Sequence, residues 1–123
     1  MRRLYLQYKR MVISTVTETE FICRFAELDR KDNFSYHGKI ALFDYFEQLE
    51  EDMGENIEFD CIAICCEYTE YENLKEFHKV YDKKQFPDFE TIREHTEVIE
   101  VADVADYHDV PSITSESFII RDF

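Results

Sequence analysis

Glycine, proline and positive charge are what this chain has least of. It holds two Gly, two Pro and no Trp in 123 residues. With two glycines, neither the P-loop nor the dinucleotide-binding phosphate loop can be built, since both need several glycines in a fixed pattern. Gly/Pro scarcity also leaves no place for a flexible linker, and no low-complexity tract or internal repeat occurs. No stretch approaches the roughly 20 apolar residues of a membrane span, and the N-terminus lacks the apolar core and small-residue cleavage site of a secretory signal. The patterns G-x-S-x-G and H-E-x-x-H and the kinase set are missing. The four histidines, His37, His78, His95 and His108, are scattered. The expectation is a protein without enzymatic activity and without a cofactor.

What is present is acid. Twenty-eight Asp and Glu face fourteen Lys and Arg, for a formal net charge of −14. Four of the bases (Arg2, Arg3, Lys9, Arg10) fall in the first ten positions, which hold no acid. Between Asp44 and Glu76 there are twelve acids and one base, Lys75, and between Asp88 and Asp109 eight acids and one base, Arg93. Such a body repels nucleic acid and membranes and attracts basic surfaces. It is nonetheless the composition of a folded domain: 45% of residues are hydrophobic and 15% aromatic, far above an acidic disordered tail. The length fits one domain, read as residues 11–123. Residues 1–10 form a basic extension that is either poorly ordered or an extra edge strand, since Leu4, Leu6 and Tyr8 alternate with polar positions.

Periodicity gives the elements. Val12–Val16 reads as a short strand. Thr17-x-x-Glu20 is a capping box opening a helix over 18–29 that carries Phe21, Phe25 and Leu28. A loop follows, and Ser35, Tyr36 or His37 leads into a second helix. There Leu42, Tyr45, Phe46, Leu49 and Met53 form one apolar stripe ending at Gly54. The stretch 57–68, apolar on both faces from Cys61 to Cys66, reads as a central strand. Thr69-x-x-Glu72 reads as a second capping box, for a helix over 70–81. Pro87 and Asp88 open a short helix with Phe89 and Ile92. Thr96–Val101 and Ser117–Phe123 read as strands, separated by an irregular acidic segment. Together these predict an α+β domain: a small, mainly antiparallel sheet of three to four strands packed with three to four helices.

Two metal sites can be weighed. On the strand reading, Cys61 and Cys65 would lie about 13 Å apart, too far to share a zinc ion, and Cys23, Cys61, Cys65 and Cys66 are read as free thiols in a reducing compartment. Residues 50–60 have oxygen donors but lack the D-x-D-x-D-G spacing of an EF-hand. No metal site is expected.

The carboxylates remain. At i, i+3 and i+4 on a helix they stand about 5–6 Å apart and repel one another, while each DNA strand carries one phosphate per about 3.4 Å of axis. Rows of acids can therefore imitate the outline of a duplex. The candidate partner-binding residues are Asp44, Glu47, Glu50, Glu51, Asp52 and Glu55, joined by Glu67, Glu70, Glu72 and Glu76. Tyr68 and Tyr71, within the segment EYTEYEN, are candidate anchors, because tyrosine is enriched at interface hot spots.

The block FSYHGKIALFDYFEQLEEDMGENIEFDCIAICCEYTEYENLKEF and the closing SFIIRDF resemble small acidic proteins encoded by bacteriophages and integrative mobile elements. The segment ICCEYTEYENLKEF carries most of that resemblance, and Met1–Arg10 falls outside it. Phages also carry unrelated small acidic proteins that imitate DNA to block host defence, the anti-CRISPR and anti-restriction proteins. The resemblance implies mobile-element origin. With the charge, it leads to the expectation of a non-enzymatic anti-CRISPR inhibitor in the bacterial host cytoplasm. Its partner would be the basic surface of a CRISPR effector or restriction complex, with no direct nucleic-acid binding, no membrane, and room for a homodimer. The alternative is an acidic interaction module for a basic phage or host protein, without mimicry.

Overall fold

The computed structural model describes residues 12–101 and 117–123; the readings of residues 1–10 and of the segment after Val101 lie outside them. The elements follow in the order α1 (Glu18–Glu27), α2 (Tyr36–Met53), α3 (Cys61–Glu67), β1 (Tyr68–Tyr71), α4 (Leu74–Phe77), α5 (Phe89–Arg93), β2 (Val98–Glu100) and β3 (Phe118–Arg121), with a 3-10 turn at Ile13–Thr15 before α1. The chain is a small α+β fold with one three-stranded antiparallel sheet, in strand order β1-β3-β2.

Local chemistry sets the helix starts. At α1, Thr17 Oγ1 accepts from the Glu20 N–H while Glu20 Oε1 accepts from the Thr17 N–H, the expected capping box. Its end is closed by Asp29 at φ 61°, with the Arg30 N–H reaching back to the Phe25 carbonyl and the Asp29 N–H to that of Ala26. Ser35 caps α2, and Gly54 ends it at φ 67°, a conformation that costs glycine nothing. Asp88 caps α5 through the Thr91 N–H.

Three sequence expectations are corrected. Val12–Val16 is not a strand: it makes the 3-10 turn, and only Val12 pairs, as an isolated bridge to Glu58. The stretch read as a central strand is helical from Cys61 to Glu67, because Asp60 caps it through the Ala63 N–H. Cys61, Ile64 and Cys65 then face inward, while Ile62 and Cys66 are exposed. The helix expected over 70–81 is shorter and starts later. Thr69 and Glu70 lie in β1, and Asn73 caps α4 through the Glu76 N–H.

The central strand is β3, and it separates two cores. Ile119 joins Tyr68, Ile99 and the residues of α1, α2 and α3 on one face, among them Phe21, Phe25, Leu42 and Phe46. Phe118 and Ile120 point the other way, into a second cluster with Tyr71, Phe77 and Ile92, as the two-residue period of a strand requires. Phe118, Ile119 and Ile120 are at most 1% exposed, so this is the strand covered on both sides. Among the described residues no helix is long and apolar enough to cross a membrane.

Candidate partner-binding face

The C-terminal half of α2 carries the acids that reach solvent together. Its inner stripe, Leu42, Phe43 and Phe46, is buried, which turns Asp44, Glu47 and Glu51 outward at i, i+3 and i+7. The chain then folds back. Gly54 makes the left-handed turn, and Glu50, almost fully buried, accepts the Ile57 N–H at 2.7 Å. The Ile57 carbonyl in turn accepts the Ile13 N–H at 2.9 Å. This clasp holds Glu55 beside the helix. Asp44, Glu47, Glu51 and Glu55, with Ser14, Gln48 and Asn56, line an open concavity of about 590 Å³ that contains no Lys or Arg. Among the described residues, no hydrogen bond or ion pair engages those four carboxylates. Asp52 sits on the same helix and accepts from Gln48 Nε2 at 3.0 Å.

Glu51 and Asp52, in the last turn of α2, oppose the field of their own helix. The last turn of α2 holds no base, and its first turn no acid, the reverse of what the helix dipole favours. The arrangement lowers stability and raises the negative potential beside the C-terminal end of α2.

A second, smaller concavity of about 380 Å³ adjoins the first and shares Asp44 and Gln48 with it. Its walls are Ile40, Ala41 and Tyr45 of α2 and Ile99 of β2, with His37 and Glu100 at the margin. Burial, reinforced by Tyr68 and Glu97 nearby, pushes the Tyr45 phenol upward, so it stays a neutral donor. Burial also raises the Tyr68 phenol.

The remaining candidates have structural partners. Glu50 clasps the turn after α2, as above. Glu70 accepts the Ser35 N–H at 2.7 Å and the Ser35 hydroxyl at 2.8 Å, tying β1 to the start of α2. Glu76 Oε1 accepts the Glu72 N–H at 2.8 Å, ordering the turn into α4, and the Glu72 side chain is exposed there. Glu67 pairs with Arg121 at 3.2 Å. Tyr68 and Tyr71, each 7% exposed, belong to the two separate cores, so they do not form one surface anchor. The structure thus brings Asp44, Glu47, Glu51 and Glu55 together, with Asp52 alongside, and places Glu67, Glu70, Glu72 and Glu76 elsewhere on and around β1.

The cysteine geometry also differs from the strand reading. On α3, Cys61 and Cys65 are one turn apart, and burial, reinforced by Cys65, pushes the Cys61 thiol up to about 12. A protonated thiol is a poor metal ligand and a poor nucleophile. No group of three or more His, Cys, Asp or Glu among the described residues is placed to hold a metal ion.

Comparison with protein-family models, with curated proteins and with solved structures finds no match for this chain.

Proposed function

We propose that this protein is a non-enzymatic inhibitor of a host nucleic-acid-targeting defence complex, an anti-CRISPR protein acting in the cytoplasm of a bacterial host. Its α2 face would enter a Lys/Arg-lined groove that otherwise holds target DNA. The observation that carries the reading is the gathering of Asp44, Glu47, Glu51 and Glu55 around one concavity without a base. Inhibition of this kind needs no bond chemistry. Affinity comes from complementary charge, with fast association and steep loss at high salt.

The variant of the alternative that relied on Tyr68 and Tyr71 as anchors is disfavoured, because both rings are core residues. An acid-led contact with a basic phage or host protein, such as a restriction subunit, remains the rival. Competition separates the two. Adding the protein to CRISPR effectors with labelled target DNA should displace the DNA and stop cleavage, and the triple reversal of Glu47, Glu51 and Glu55 to Lys should abolish the effect. Undiminished DNA binding and cleavage across effector types would defeat the proposal.

A further inference from the structure

We infer that the partner seated on this face is a protein segment bearing an aliphatic side chain beside its Lys/Arg residues, and that the aliphatic group enters the cleft between α2 and β2. The inference rests on the acidic face being the contact surface. Its own observation is the junction of the two concavities. Ile40, Ala41, Tyr45 and Ile99 form an apolar wall directly beside the acidic groove, and Asp44 stands on the boundary. Tyr45 and Ile99 are anchored in or against the main core, so the wall is rigid, whereas Ile40 is half-exposed and lies outside that packing.

Charge decides the occupant and its direction. Of the carboxylates lining the two concavities, the ones without partners are Asp44 itself and Glu47, Glu51 and Glu55 of the acidic groove. At the far margin Glu100 is already paired with Arg93 at 2.8 Å. A bound segment would set its bases over Glu47, Glu51 and Glu55 and its aliphatic group over Ile40 and Ile99, in that order. Of the chain's own segments outside the described residues, 102–116 fits poorly, since it carries Asp103, Asp106, Asp109 and Glu116 and no Lys or Arg, whereas residues 1–10 carry Arg2, Arg3, Lys9 and Arg10 beside Leu4 and Leu6. A chain lacking residues 1–10 that binds the Leu peptide described below more tightly than the full chain would assign the cleft to that segment and overturn the inference. A surface built only to imitate phosphates has no use for such a cleft. With it, contact with a basic protein acquires a register.

Two short fluorescent peptides of equal Lys content test this on the full chain by anisotropy, one with leucines beside its lysines and one with serines in their place. Burying one Leu is worth about 1.5–3 kcal/mol, so the Leu peptide should bind roughly tenfold tighter or more and keep that advantage as salt rises. Ile40→Asn should erase the difference while leaving the Ser peptide's affinity unchanged. Glu47→Lys with Glu51→Lys should weaken both peptides together. Equal affinity for the two peptides, both lost on acid reversal, overturns this inference and leaves the acidic-face reading standing. Binding of either peptide that ignores acid reversal, or no binding at low salt, overturns both. Sedimentation showing a dimer that Ile40→Asn disperses, with no change in Leu-peptide affinity, assigns the cleft to a second copy and also overturns it.

Discussion

Single residues decide whether a carboxylate is structural or free for a partner, and Glu70 and Glu50 show the structural case. Glu70 lies against Gly38 so closely that a Cβ there would stand 2.9 Å from the Glu70 carboxyl carbon. Glycine at this helical position is needed for close approach. The crowded atoms are the end of a flexible side chain, so Gly38→Ala should swing the Glu70 carboxylate off Ser35. Loss of those charge-assisted bonds, about 1.5–3 kcal/mol, should outweigh alanine's helix-propensity gain of about 1 kcal/mol for a small net loss of stability. A lower denaturant midpoint would show it, and an unchanged or raised midpoint would contradict the packing. Glu50→Ala should leave the Ile57 N–H unpaired at a cost of about 1–3 kcal/mol, whereas Glu50→Gln keeps an acceptor and should cost less. Glu47→Ala, on the open surface, should stay within about 0.5 kcal/mol. Thermal melts of the three variants give the ranking.

Elements were legible where a signal is local. The α1 capping box, the Gly54 stop and the Asp88 start each depend on residues a few positions apart. The Cys61–Cys66 run misleads because it is too short to separate a period of two from one of 3.6, and its cysteines and isoleucines suit either. Only the cap at Asp60 tips it to helix. Thr69 misleads in the opposite way: its hydroxyl has a partner, but that partner is Asp122 at 2.8 Å, across the sheet. The candidate face was half legible. Helical spacing marks the acids of α2 and puts Glu50 one turn after Phe46 on the inner side, away from Glu51. Nothing local reveals that Glu50 holds the Ile57 N–H, a bond that depends on the turn between them, or that Glu70 answers Ser35, 35 residues away. At this scale α2 makes its own prediction. Glu51→Lys places a base near the C-terminal end and removes like-charge repulsion, so it should raise stability by roughly 0.3–1 kcal/mol while weakening partner capture. Stability and binding measured on one variant should move in opposite senses. If both fall together, the dipole argument fails.

For the whole molecule, burial of protonated groups sets an alkaline limit. Burial pushes the Cys61 thiol and the Tyr71 phenol each up to about 12, from ordinary values of 9.0 and 10.0. The folded state thus holds protons that the unfolded chain releases. Their contribution is complete below pH 9 and is lost as pH rises from there toward 12. Stability should fall over that window, and Cys61→Ala should flatten the early part of the fall. In the native state Cys23 and Cys66, both exposed, should react with a thiol reagent well before Cys61. Equal labelling rates would show that the α3 face opens readily.

The strand order has a consequence for biosynthesis. Among the described residues β1 and β2 do not pair with each other; each pairs with β3, which follows β1 by some fifty residues, as in the match of Tyr68 with Arg121. On the ribosome the two outer strands emerge with unsatisfied edges and must wait for their shared partner. The first core draws all its buried members but Ile119 from residues before 102, whereas the second is built on Phe118 and Ile120 and cannot close until they have left the exit tunnel. A nascent chain stalled before that point would present chaperones with open edges and the bare rings of Tyr71 and Phe77.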